Sequence, residues 1–265
     1  MVAVARYARL LRLQLRMSAT SALQYRAEFL LKGVMALFWL AITIAPLAVV
    51  YAQRPAVAGW TFEESLVVLA WFSLLKAVLE GGVTPSLTAV VEGVRTGSLD
   101  FVLLKPADAQ FLVSTARFEP WRVIDFAGAM AIFGYAFHRL GRWPRPGELL
   151  VALALLLMAV LLLYSIWILV VSASFWVVRV DNLSYLFGSI FDAGRWPITV
   201  FKGALRFVFT FVFPLALMTT FPAQALLGKL GGRQAALGLL GGAVFAVVAR
   251  RVWLKALRLY TSASS

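Results

Sequence analysis

The stretch VALALLLMAVLLLYSIWILVVSASFWVV, residues Val151 to Val178, runs for 28 positions without one charged side chain. A helix rises about 1.5 Å per residue and the hydrocarbon core of a bilayer is about 30 Å thick, so about 20 such residues cross it. The stretch exceeds that length and is apolar on every face, which a half-exposed helix of a water-soluble domain is not. It therefore reads as the core of a membrane span over Leu149 to Val178, and the rest of the chain is read against it.

Working outward, a first span is expected from Phe29 to Tyr51, followed by a polar turn with Gln53, Arg54, Pro55 and Gly59. A second runs from Glu64 to Val91, where Lys76, Glu80, Gly81, Gly82 and Pro85 predict a bend, and a third from Trp121 to Phe137. After Val178 the pattern turns polar and aromatic through Asp181, Asn182, Asp192 and Gly194. Trp196 and Pro197 then mark the start of a fifth apolar stretch, Val200 to Met218. Thr219 to Arg233 holds too many turn residues for a crossing and reads as a hairpin dipping into the membrane, allowed only where its backbone is satisfied by protein or water. Gln234 to Val252 is the last span.

The expected architecture is thus all-α and polytopic. An N-terminal interfacial helix (1–28) precedes a six-span domain (29–252) and a C-terminal tail (253–265). In the first segment Leu10, Leu13 and Met17 alternate with Arg9, Arg12 and Arg16 at helical spacing, suiting a helix that lies on acyl chains and meets anionic headgroups. With six spans both termini share a face. Placing them inside puts 18 basic residues on the inner face and 6 on the outer, with Lys76 inside a span, the bias that orients membrane proteins.

Composition agrees. Of 265 residues, 62% are apolar or aromatic and 14% charged, against about 45–50% and 25% in soluble domains. A net charge of +13 in so apolar a chain points to anionic lipid rather than nucleic acid. Without cysteine, thiol, disulfide and iron-sulfur chemistry are excluded. Gly228-Lys229 is followed by Leu230 and lacks the phosphate cradle G-x-x-x-x-G-K-[ST], so the chain supplies no ATPase of its own. No nucleophile elbow or zinc helix is present, and the single histidine, His138, reads as a residue at an outer helix end. No cofactor and no catalytic residue is expected on this chain.

Three groups of residues stand out. The inner connection between spans two and three, EGVRTGSLDFVLLKPADAQF (Glu92–Phe111), has Leu99, Val102 and Leu103 at helical spacing between Gly97 and Pro106. A short amphipathic helix there offers Arg95, Asp100, Lys105 and Asp108 to a partner; a lipid-facing connector fits as well. Lys76 and Glu80, four residues apart, share a helix face and either neutralise each other or line a polar route. Asp125, beside Arg122, reads as an anchor at the start of span three. Arg195, Trp196 and Pro197 read as a junction at the inner boundary of span five, and Phe213-Pro214 and Phe221-Pro222 as a broken outer cap. Gly238 and Gly242 invite close helix packing.

The segments E-G-x-x-x-G-S-L-D-x-x-L-L-K-P (Glu92–Pro106) and F-D-x-G-R-W-P (Phe191–Pro197), with the two Phe-Pro pairs, resemble the membrane subunits of ABC-2 type ABC transporters, small six-span subgroup, over nearly the whole chain. The resemblance implies six spans after an interfacial helix and a cytoplasmic coupling segment (92–118) docking on a separate ATP-binding subunit through Arg95, Leu99, Asp100, Leu103, Lys105 and Pro106. It further implies re-entrant elements over Phe213 to Arg233, and a gate or junction at Arg195, Trp196 and Pro197. Also implied are ATP and Mg on that partner, a second permease, identical or homologous, and residence in a bacterial or archaeal inner membrane. The expected function is ATP-driven export of a hydrophobic or amphiphilic substrate. A non-transporting membrane scaffold or assembly factor is the alternative.

Overall fold

A backbone that leaves water must satisfy its own N–H and C=O groups, which a helix does within one segment. The computed structural model describes residues 2–24, 26–175 and 181–259, and among them there is no strand, only an isolated bridge between Val57 and Trp60.

The interfacial helix α1 (Val2–Gln24) ends short of 28, because α2 (Arg26–Gln53) already begins at Arg26. α1 exposes Arg6, Arg9, Arg12 and Arg16 alongside Leu13, Leu15 and Met17. α3 (Phe62–Val78) starts at a capping box: Glu64 N–H donates to Thr61 Oγ1 (3.3 Å) and Thr61 N–H to the Glu64 carboxylate (3.4 Å). It continues through a single π-helical turn, Leu79–Val83, into α4 (Thr84–Thr96). The disturbance expected here takes the form of that π turn and not of a break sharper than 40°, so Phe62–Thr96 forms one 35-residue run. Pro85, in the first turn of α4, has no N–H to donate to Gly81 C=O.

The connector after Gly97 folds as α5 (Asp100–Leu103) and α6 (Ala109–Ser114). A one-turn helix, Pro120–Arg122, then opens α7 (Val123–Leu140), and α8 (Pro146–Ala173) follows. Trp176 to Val178, expected to complete the fourth span, lie outside the described residues. α9 (Asp181–Asp192) continues through the one-turn helices Ala193–Arg195 and Ile198–Val200.

The fifth apolar stretch, expected as one helix over Val200–Met218, is broken. α10 (Gly203–Phe207) runs into a π turn, Val208–Val212, and a second π turn, Ala216–Thr220, runs into α11 (Phe221–Leu226), the two arms bent by 71°. Pro214 causes the break: it lacks an N–H and forces Phe213 out of the helical region, at φ −114° and ψ 87°. α12 (Gly232–Leu259) closes the fold. Ala27–Gln53, Phe62–Thr96, Pro146–Ala173 and Gly232–Leu259 are long and apolar enough to cross a membrane, or five units if the bent pair counts as one.

α3 is the axis of the packing. Ser65 through Leu75 are buried without interruption, α7 lies along it, and the stretch from the end of α9 to Val200 runs antiparallel to it: Asp192 meets Lys76 (3.2 Å), Phe191 meets Phe72 (5.2 Å between rings), and Trp60 donates to Thr199 Oγ1 (2.9 Å), while Phe187 packs on Trp167 of α8 (5.6 Å). Both flanks of the bent pair therefore reach the same end of α3, since beyond α11 Lys229 binds Glu64 (2.6 Å) and Leu227 C=O accepts from Arg142 (2.5 Å).

α8 and α12 pack through glycine. A Cβ on Gly242 would lie 2.9 Å from the Met158 carbonyl oxygen, whereas one on Gly238 would meet only the mobile tip of Leu155. Such close backbone approach is how apolar helices associate without water exclusion. Gly242→Val is expected to destabilise the protein by about 1–3 kcal/mol, read as a lower melting temperature in detergent. Gly134→Ala, where a Cβ meets nothing within 4 Å, should melt no lower than the wild type.

Candidate functional site

Two polar constellations stand out in this apolar bundle. The first lies where α3, α7 and α9 converge. Lys76 Nζ is 3.2 Å from Asp192 Oδ1 and 3.7 Å from Glu80 Oε1. Arg122 pairs with Glu80 and, at 2.7 Å, with Asp125. Arg195 donates from Nε to the Asp192 carbonyl (2.8 Å) and lies 3.5 Å from its carboxylate. Three cations thus meet three carboxylates, and the Arg122 guanidinium also stacks 3.9 Å from the Trp121 ring centroid.

The π turn and Pro85 build this site. Pro85 has no N–H to give Gly81 C=O four residues back, and that carbonyl accepts from Glu119 N–H at 2.8 Å. Side chains at Gly81 and Gly82 would press on Arg122 and Phe118, so glycine lets the 117–122 segment lie against α3. Ser86, fully buried, completes the seam: its hydroxyl donates to Arg117 C=O (2.6 Å) and accepts from Arg117 N–H (3.0 Å).

The Lys76–Glu80 pair expected from spacing is present, but within a six-membered network. Arg195 was expected at the inner start of span five. It follows the last turn of α9 and joins the network through Asp192, because the helix here is α9 and ends at that residue. Trp196 and Pro197 likewise lead out of α9 into a one-turn helix instead of opening a span. Phe213 and Pro214 form the break of the bent pair, and Phe221 and Pro222 are buried at the start of α11.

The second constellation anchors the connector. Asp108 caps α6 by accepting from Phe111 N–H (3.0 Å) and grips Arg250 of α12 with both oxygens, at 2.6 and 3.3 Å. Arg250 also donates to Gln110 (2.5 Å), whose amide donates to Tyr164 of α8 (2.9 Å), and Ser114 shares the Tyr164 hydroxyl (2.7 Å). From α1, Tyr7 accepts from Asp108 N–H (3.0 Å) and Arg6 donates to Pro106 C=O. Three helices thus hold one loop.

The expected docking residues divide. Leu99 is 2% exposed and belongs to the core, beneath the Gly97 turn, whose φ of +74° suits glycine. Arg95 is exposed beside Glu92 (2.8 Å), and Lys105 and Pro106 face outward. Leu103 is half-exposed, and the most exposed apolar side chains are its neighbours Phe101, at 72%, and Leu104, at 80%. Asp192, Arg250, Gln110 and Tyr164 were missed as site residues: Asp192 has a local partner in Arg195, but its bond to Lys76, like those joining Arg250, Gln110 and Tyr164, spans at least 50 positions.

Burial alone would raise the Asp108 carboxyl, but the Arg250 guanidinium and the N–H groups of Phe111 and Gln110 outweigh it and hold the group below its ordinary value. A depressed folded value means that the stabilisation is complete above the unfolded value and is lost as pH falls through the folded one. Asp108→Asn should therefore melt below the wild type by a constant margin from about pH 5 to 8, and the two should converge below about pH 4.

A sequence profile for the family described as ABC-2 family transporter protein matches residues 37–264. No curated protein and no solved structure matches the chain.

Proposed function

Because this chain belongs to the ABC-2 transporter family and so is a membrane-embedded permease of an ABC transporter, we propose that it couples to a separate ATP-binding subunit and exports an amphiphilic substrate. The observation that carries the coupling is the connector: three exposed apolar side chains, Phe101, Leu103 and Leu104, on a loop locked to α1, α8 and α12. A lipid-facing tether would need no such anchorage. ATP and Mg belong on the partner.

Six crossings fit the helices if α9 and the turns to Val200 form the fifth, α7 the third, and the bent pair between Gly203 and Leu226 a re-entrant hairpin. The hairpin reading is supported by both flanks meeting the Glu64 end of α3. This moves Lys202 and Arg206 to the outer face and Arg195 into a span beside Lys76, leaving 15 basic residues on the inner face against 8 on the outer, so the bias still favours both termini in the cytoplasm of a bacterial or archaeal cell. Lys76 and Asp192, 37% and 39% exposed within the spans, support a second permease copy or water beside them, since lipid would exact several kcal/mol per charge. On that face they line the translocation route.

Replacing Phe101 and Leu104 together by Ser should cut co-purification of the ATP-binding subunit by about tenfold, a loss of about 1.4 kcal/mol, with an unchanged melting temperature; undiminished capture would remove the docking assignment. Lys76→Met and Asp192→Asn, tested singly and together in proteoliposomes, separate structure from transport. If the pair only neutralises itself, the double variant regains the flux lost by either single one. If the charges serve the substrate, the double variant stays inactive while assembled.

A further inference from the structure

Beyond the transport reading, we propose that the groove between α2, α3 and α7 is a binding site for one glycerophospholipid bearing a primary ammonium. Two cavities of about 550 and 510 Å³ lie in series and share Glu28, Lys32 and Trp121. The second opens at the α1–α2 elbow against the 117–121 segment. The first continues along α2, where Leu31, Met35, Trp39 and Leu40 face Phe72, while Lys76, Glu80, Arg122 and Asp125 of the paired network line its α3–α7 wall.

The charges of the double cavity gather toward its mouth: Arg122 stacks on the shared Trp121 and pairs with Glu80, and Lys76 lies one helical turn further in, paired with Glu80 and Asp192. At the mouth Lys32 stands between two carboxylates, 2.9 Å from Glu28 and 3.8 Å from Glu119, all three between 40% and 58% exposed, with Arg117 on the same wall. Two cations and two carboxylates match a phosphate joined to an ammonium, the cations taking the phosphate oxygens and the carboxylates the N–H donors. From Lys32 to Thr43, the last α2 residue of the groove, the helix rises about 16 Å. That is about half of a 30 Å hydrocarbon core, the depth of a single acyl chain. α2 meets α7 at Gly33 with Ile124 and at Leu40 with Gly128, so the two helices close one side of the groove and leave the α3 side open for the chain.

The test uses the purified full-length chain in phosphatidylcholine nanodiscs, without an ATP-binding subunit. The probe is phosphatidylethanolamine with a photoreactive acyl chain, mapped by peptide mass spectrometry. Label is expected on residues 27–43 and 117–128 in excess over the exposed face of α12 around Leu240 and Val244, and unlabelled phosphatidylethanolamine should displace it about tenfold better than phosphatidylcholine or phosphatidylglycerol. Met35→Trp, which fills the groove from a half-exposed position, should abolish the excess. Glu28→Gln with Glu119→Gln should keep the label and erase the preference over phosphatidylcholine. Equal labelling of α12 would reduce the site to ordinary surrounding lipid and overturn the proposal. Equal displacement by phosphatidylglycerol would overturn the ammonium assignment. Absence of ATPase coupling in a reconstituted complex would sink the transport reading and leave this result intact.

Discussion

An ionised group inside an apolar bundle must find its opposite charge, and that constraint sets the arrangement of α3, α7 and α9. Lys76, Arg122 and Arg195 each have a carboxylate partner, and the three carboxylates come from three elements: Glu80 from the π turn of α3, Asp125 from α7 and Asp192 from α9. Sliding α9 by one helical turn, about 5.4 Å, would separate Asp192 from Lys76, leaving Lys76 to Glu80 at 3.7 Å and Asp192 to Arg195 at 3.5 Å. The network therefore fixes the register of helices whose other contacts, Phe72 with Phe191 and Trp167 with Phe187, are aromatic and tolerant of small shifts.

What makes room for the network is a departure from regular helix. Gly81 C=O has no donor four residues on, because that position is Pro85, and it accepts from Glu119 N–H instead. The same device appears twice around Pro214, where the π turns Val208–Val212 and Ala216–Thr220 flank the sharp break of the bent pair. In both places backbone freed from its own helix stays inside protein: Ile198 N–H reaches the Thr220 hydroxyl at 3.1 Å across the hairpin. Irregular backbone at such depth persists only where protein or water covers it.

These points separate what the sequence discloses from what it withholds. Long apolar runs are local properties, so the helices at Ala27–Gln53, Phe62–Thr96, Pro146–Ala173 and Gly232–Leu259 were legible to within a few residues, and so was the Lys76–Glu80 pair at helical spacing. Gly81-Gly82-x-x-Pro85 announced a disturbance, but whether it becomes a bend or a π turn depends on the Glu119 donor 38 positions later. The break in the fifth apolar stretch was missed because hydropathy averages over Val200–Met218 and does not register the Pro214 turn. Asp192, one of the charges that make α9 look like a loop, is neutralised by Lys76 of α3, a fact of tertiary contact. Leu99 failed for a similar reason, since a periodic pattern names an apolar face without saying whether core or partner covers it.

The two polar constellations are mechanically continuous through the connector. At its first end, Asp108 and Gln110 tie it to Arg250 and Tyr164; at its second, Arg117 is bonded to Ser86 in α4 and Glu119 to Gly81 in the π turn, and Arg122, three residues on, reaches Glu80. No segment longer than a few residues between these anchors lacks a tertiary bond, as α6 is pinned by Phe111 against Tyr7 at 4.7 Å and Phe118 N–H donates to Ser18 at 3.2 Å. A displacement of α5 and α6 cannot be taken up by slack. It must shift Arg122 against Glu80, move α12 through Arg250, or break one of these bonds, and breaking a charge-assisted bond costs more than a neutral one. The contacts of least resistance are then the neutral ones, Ser114 and Gln110 with Tyr164, Arg117 with Ser86 and Glu119 with Gly81, whereas the charge-assisted pairs Asp108–Arg250 and Arg122–Glu80 are the last to yield.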